Sequence, residues 1–319
     1  MSEDSRIGEN DANVEKKEEI QSLPGIKTVS GLVLVTMLIL LVIGSVAQAW
    51  HFEFGMFITQ WLLILPPALW FWKRYNVDRK QFARIKPLEK KFLPAISLLV
   101  ICAWLLNMLL AVVLVSFLMG FGYQPLEILP PPSDLGQYFV YLAVIAVSAA
   151  ICEEVLFRGT VMPSLERYGT LPALVFSSLL FAVFHLTFLN FLSALILGLL
   201  IGLVVIKTGS ILAGIYYHFL NNTLAVTYLY LFSDLEPETT AEASELAELS
   251  LPLFIIMMPA LAGLLFALKK INNYSTSPPI LTGRQGWLPK GWFNGLAMLA
   301  LLIFLLVAFA EMLLGFGML

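Results

Sequence analysis

Long uncharged apolar runs, separated by short polar segments, dominate this chain. They cover residues 31–50, 54–72, 92–126, 135–152, 168–206, 208–233, 249–268 and 291–310. A helix needs about 20 apolar residues to cross a hydrocarbon core of about 30 Å, so each run reads as at least one crossing. The 168–206 run is interrupted only by His185 and is too long for one span; it folds at residues 187–190 into two. The pattern predicts an all-α, polytopic membrane bundle of about nine helices, or eight if one segment is re-entrant or interfacial. About 28 mostly polar residues precede the first run, which is therefore expected to be an uncleaved anchor behind a disordered tail.

Composition sharpens this reading. The chain is 59% hydrophobic, 13% aromatic and only 13% charged, where a soluble domain carries about 25% charged residues. A soluble enzyme and a disordered chain are excluded. The net charge of −3 and the lack of a basic stretch that tracks phosphates remove nucleic acid as a partner. Cys102 and Cys152 lie in apolar runs, where a free thiol is a small hydrophobe.

Lysine and arginine orient the bundle. With the N-terminus in the cytoplasm, the inner segments hold Arg6, Lys16, Lys17 and Lys27; then Lys73, Arg74, Arg79, Lys80, Arg84, Lys86, Lys90 and Lys91; then Arg158, Arg167 and Lys207; then Lys269, Lys270, Arg284 and Lys290. These are all 19 basic residues, and the outer loops have none. The outer loops carry acids instead, among them Glu127, Asp134, Asp234, Glu236 and Glu238. Four regions follow: a cytoplasmic tail at 1–28, N-terminal membrane helices at 29–135, a core at 136–232, and an acidic outer loop with C-terminal membrane helices at 233–319. Trp50, Trp72 and Trp292, near span ends, read as interface anchors. Ala194, Gly198 and Gly202 form a small-residue stripe for helix packing.

Ionisable groups inside a membrane cost at least about 2.5–3.5 kcal/mol at the centre, so each is a functional candidate. Few qualify: Glu153 and Glu154 at the end of span four, His185 in span five, and His218 in span seven with Asn222 one turn on. In a helix Glu154 and Arg158 share a face at i, i+4 and neutralise each other. Glu153 lies about 100° around, with no such partner. Its own face, Ala146, Ala149 and Ala150, is small enough for a close helix neighbour. A desolvated carboxylate of this kind suits general acid–base work near neutrality. With a turn at 168–170, Glu153 lies 15 residues before Tyr168 and His185 lies 15 after Thr170. An antiparallel pair then brings the two to one depth, where they can share a water. His218 and Asn222, both donors, suit a developing oxyanion. By rise per residue, however, His218 is about 12 Å from the inner end of its span against about 22 Å for His185.

Three motifs stand in order: Glu153-Glu154-x-x-x-Arg158, Phe181-x-x-x-His185 and His218-x-x-x-Asn222. Together with Phe157-Arg158-Gly159, Gly169, Gly198, Gly202 and Thr208-Gly209-Ser210, they resemble the CPBP family of intramembrane proteases. That family includes the type II CAAX prenyl endopeptidases and bacteriocin-immunity-associated proteins. The resemblance covers roughly residues 138–232. It implies Glu153 as the base that activates water, His185 as its partner, His218 and Asn222 as the oxyanion site, and Glu154 with Arg158 as structural support.

The expected function is an intramembrane endopeptidase acting on a membrane-associated peptide or protein in the bilayer, in a bacterial plasma membrane. No cofactor is favoured. Zinc is the alternative, with Glu153, His185 and His218 as ligands, but His-Glu-x-x-His is lacking and Asn222 is a poor zinc ligand. A non-proteolytic binding protein, such as an immunity factor or chaperone, would use the same polar cluster. A transporter with a carboxylate–histidine proton relay is disfavoured, since the two halves show no internal repeat.

Overall fold

The structure, a computed structural model, describes residues 24–126, 129–232, 243–276 and 291–318, with backbone alone at 243–254. Most of the tail read at 1–28, Glu127, and residues 233–242 of the acidic loop lie outside the described residues, and the rest of that loop falls within a helix that starts at Ala243. The first helix begins at Ile26, inside the stretch read as tail.

Nine helices are present among the described residues, one for each expected span. They are α1 (Ile26–Trp50), α2 (Phe52–Arg74), α3 (Lys90–Met119), α4 (Leu135–Tyr168), α5 (Thr170–Phe184), α6 (Phe188–Thr208), α7 (Ile211–Phe232), α8 (Ala243–Tyr274) and α9 (Gly295–Gly315). This is the polytopic all-α bundle that the hydrophobic runs predict. By length and composition, seven of the nine are long and apolar enough to cross a membrane among the described residues. The other two are α5, with only 15 residues, and α7, whose 22 residues are interrupted by His218, Asn221, Asn222 and Thr223. These are the helices that deliver histidines to the interior.

Burial runs opposite to that of a soluble protein. Leu302, Leu305, Leu306 and Phe309 on α9, and Val35, Val42 and Val46 on α1, are exposed, whereas Glu153, Glu154, Arg158 and His218 are buried. Apolar faces outward and ionisable groups inward are the arrangement a bilayer imposes.

Local sequence shapes the helices around the site. α2 carries a π turn at Thr59–Ile64, just before Pro66 and Pro67. α4 carries two, at Leu142–Val147 and Phe157–Val161, which bracket the regular stretch Ser148–Leu156. In each, a hydroxyl takes a carbonyl five residues back: Ser148 Oγ donates to Ala143 and Thr160 Oγ1 to Val155. Such widened turns interrupt the regular ladder and are common at functional sites.

The glycines mark close approaches. A Cβ at Gly55 would stand 2.5 Å from the Ala47 backbone, so α1 and α2 meet backbone to backbone there. Gly198 and Gly202 of α6 pack against Ser178 and Leu174 of α5, as the small-residue stripe predicts. Two of the tryptophans depart from expectation. Trp50 is exposed, but Trp72 and Trp292 are buried. Trp72 Nε1 donates to the Gly159 carbonyl at 3.1 Å, and Trp292 stacks edge-on to Phe176. Both therefore tie helices together rather than anchor them at an interface.

Candidate active site

Two polar clusters sit side by side at the middle of α4. The first is closed. Glu154 and Arg158 are fully buried, one helical turn apart, and Arg158 Nη1 donates to Glu154 Oε1 at 2.9 Å. Arg158 Nη2 donates to the Gly198 carbonyl of α6 at 2.9 Å, and its guanidinium lies 4.5 Å above the Phe181 ring. His218 Nδ1 meets the same Glu154 Oε1 at 2.9 Å. A carboxylate accepts only, so Nδ1 carries the proton of this bond and Nε2 is the nitrogen of His218 that this bond leaves over. Glu154 Oε2 lies against Gly214, where a Cβ would stand 3.1 Å from it. One carboxylate thus joins α4, α6 and α7 around a guanidinium and an imidazole.

The second cluster is open. Glu153 is 7% exposed. Its Oε1 accepts from Gln60 Nε2 of α2 at 3.0 Å, while its Oε2 is buried without a hydrogen-bond partner among the described residues. His185 Nε2 stands 3.9 Å from that Oε2. His185 is not inside a span. It follows the last residue of α5 and is partly exposed, with Nδ1 held 2.7 Å from the Phe181 carbonyl. Leu186, next in the chain, takes a left-handed φ of 56°. That turn sends the chain into α6, whose first amide, Phe188 N, donates to Glu311 Oε2 of α9 at 2.5 Å. A short α5 with a tight exit brings an imidazole to the depth of Glu153.

The apparent offset between the two histidines closes through the start of α7. Ile211 lies against Gly159, not against the end of α4: a Cβ on Gly159 would stand 3.1 Å from Ile211 Cδ1. Gly159 is nine residues before Tyr168, about 13 Å along a helix. Arg84 supports this recessed start. Its carbonyl accepts from Ile211 N, and its guanidinium reaches Glu166 at 2.6 Å. From the Gly159–Ile211 level, Glu153 is six residues away on α4 and His218 seven on α7. The Phe181 ring sits between the imidazoles, 4.6 Å from His185 and 6.0 Å from His218.

Asn222 lies one turn past His218. Its Nδ2 donates to the Ile145 carbonyl at 3.0 Å, inside the first π turn of α4, and its Oδ1 accepts from Asn221. A carboxamide nitrogen has two protons, and this bond uses one.

Residues 135–224 match the family model described as type II CAAX prenyl endopeptidase Rce1-like. They form an Rce1-like domain. No curated protein and no solved structure matches the chain. The Rce1-like domain takes in α4, α5, α6 and most of α7, and with them all three motifs. The CPBP resemblance read from those motifs is thereby supported. Gln60 on α2 touches the site from outside the domain, and Glu311 on α9 holds the turn after His185 through the Phe188 amide. Screening the spans for ionisable side chains passes over Gln60, since an amide carries no charge. Its signal is a lone carboxamide within the 54–72 run. Glu153 finds its hydrogen bond across the bundle instead: α2 meets this stretch of α4 through Gln60 and through Trp61, whose Nε1 donates to Ser148 Oγ at 2.9 Å. Among the described residues, no group of three His, Cys, Asp or Glu side chains could hold a metal ion.

Proposed function

We propose that the chain is an intramembrane endopeptidase in which Glu153 activates water and His185 assists it. The observation that carries this reading is the pair itself: a buried carboxylate oxygen without a partner, 3.9 Å from an imidazole nitrogen, in an Rce1-like domain. A water at about 2.8 Å from each atom, an ordinary hydrogen-bond length, closes a triangle on that edge. Glu153 takes one proton of the water as its oxygen adds to the peptide carbonyl carbon. The tetrahedral oxyanion then collapses, the C–N bond breaks, and the proton passes to the leaving amine. Water and peptide are consumed, and one carboxylate and one amine are formed.

His218 and Asn222 supply the donors for the oxyanion. Because Nδ1 of His218 is committed to Glu154, Nε2 donates only as imidazolium. The second Asn222 Nδ2 proton completes the pair. Glu154 and Arg158 hold the helices and take no part in proton transfer. The substrate in this reading is a membrane-associated peptide or protein, docked in extended form.

The reading is metal-free. It rests on the chemistry of the residue set: His-Glu-x-x-His is lacking and Asn222 is a poor zinc ligand. A zinc enzyme predicts stoichiometric metal in the purified protein and loss of cleavage in chelator. The deciding measurement is peptide hydrolysis by purified protein in detergent, comparing wild type with Glu153→Ala and His185→Ala. Abolished cleavage in Glu153→Ala with an unchanged melting temperature is the expected result. Wild-type cleavage there would refute the mechanism and favour a binding role for the cluster.

A further inference from the structure

We propose that Gln60, on a helix outside the Rce1-like domain, is the positioning residue that aims Glu153. The inference rests on the endopeptidase reading above and adds a group that the three motifs do not contain. Gln60 is 3% exposed and sits in the π turn Thr59–Ile64. Its Nε2 donates to Glu153 Oε1 at 3.0 Å across 93 residues of sequence. This is the only hydrogen bond on the Glu153 carboxylate among the described residues. It ties down one oxygen and leaves Oε2 turned to His185.

The other oxygen of the carboxylate, Oε2, is buried without a hydrogen-bond partner among the described residues and stands 3.9 Å from His185 Nε2. Gln60 thus acts through the carboxylate it holds: it fixes which oxygen is the base and keeps that oxygen facing the imidazole. Neighbouring contacts fasten the turn that carries it. Thr59 Oγ1 accepts from Gln48 Nε2 of α1 at 3.0 Å, and Trp61 Nε1 reaches Ser148 of α4.

The test uses full-length purified protein and a quenched fluorogenic peptide with a prenylated cysteine near its carboxyl terminus, the substrate class named in the family description. Gln60→Leu keeps the shape and removes both donor and acceptor. Misplacing a reacting group costs up to about 100-fold, so kcat is expected to fall roughly 10- to 100-fold with KM within about twofold. Thr36→Val is the control: it removes a buried hydroxyl that bonds only within its own helix, at the Leu32 carbonyl, and is expected to leave kcat unchanged. If both variants lower kcat equally, or if Gln60→Leu keeps wild-type kcat, the proposal is overturned. Should Gln60→Leu not accumulate as folded protein, Gln60→Met is read by the same criteria. Glu153→Ala in the same assay separates the two readings. Residual cleavage in that variant defeats the endopeptidase mechanism, whereas an inactive Glu153→Ala beside a fully active Gln60→Leu defeats only the role of Gln60.

Discussion

Glu153 and Glu154 are adjacent in sequence and opposite in circumstance. Glu154 Oε1 receives a guanidinium and an imidazole, and both it and Arg158 are out of reach of solvent. Removing one partner of a buried ion pair leaves an uncompensated charge, at about 3–5 kcal/mol. Arg158→Leu is therefore expected to lower the melting temperature sharply and to lose activity with it, as thermal unfolding in detergent would register. Glu153→Gln should behave differently: cleavage is lost while the melting temperature stays within a few degrees, because the amide still hydrogen-bonds and no ion pair is broken. Equal destabilisation by the two would mean that Glu153 is structural as well. At this scale the sequence is informative about Glu154 and Arg158, since i, i+4 spacing puts them on one face wherever the chain is helical. It is silent about Gln60, because no local rule links residues 60 and 153.

Helices set the depth at which side chains meet. α5 ends after 15 residues, so His185 arrives beside Glu153 rather than at the far membrane face. α7 starts at the level of Gly159, so His218 arrives there too. Gly159 permits this, since a Cβ would stand 3.0 Å from Trp72 Cζ2 and 3.1 Å from Ile211 Cδ1. Gly159→Val is expected to push α7 away from α4, weaken the His218–Glu154 contact and lower both stability and kcat; overpacking of this kind costs about 1–3 kcal/mol. Gly55→Ala makes a sharper case, because the atoms it meets are backbone. Its expected effect is a lower melting temperature and displacement of the helix that carries Gln60, read as reduced kcat in the fraction that folds. Helix existence is legible in the hydrophobic runs. So is the break after α5, read at 187–190; the π turns are not, because they answer to contacts with other helices rather than to local propensity.

As a whole, the molecule surrounds its Rce1-like domain with helices that complete it. α2 supplies Gln60 and Trp72, the connector between α2 and α3 supplies Arg84, and α9 supplies Glu311. A chain cut to residues 129–232 loses all four contacts and exposes the faces that α1, α2, α3 and α9 cover. It is expected not to accumulate as folded protein in membranes, which expression with detergent size-exclusion chromatography would reveal. A monodisperse, active fragment would mean that the flanking helices are accessory. For the full chain, activity is expected to persist in chelator after metal is removed, checked by elemental analysis of the same sample.

Patterning along the chain was enough to establish a membrane bundle, because the length of each apolar run is a local property and the bilayer sets a single requirement on it. It also isolated the ionisable groups worth attention, since burying charge in lipid carries a cost that any reader of the sequence can weigh. Pairing was another matter. Glu154 with His218, Glu153 with Gln60, and Phe188 with Glu311 are contacts across 64, 93 and 123 residues. They depend on where each helix starts, how far it runs and which face it turns inward. Those quantities come from the packing of glycines, π turns and buried tryptophans between helices, so they exist only once the bundle has assembled.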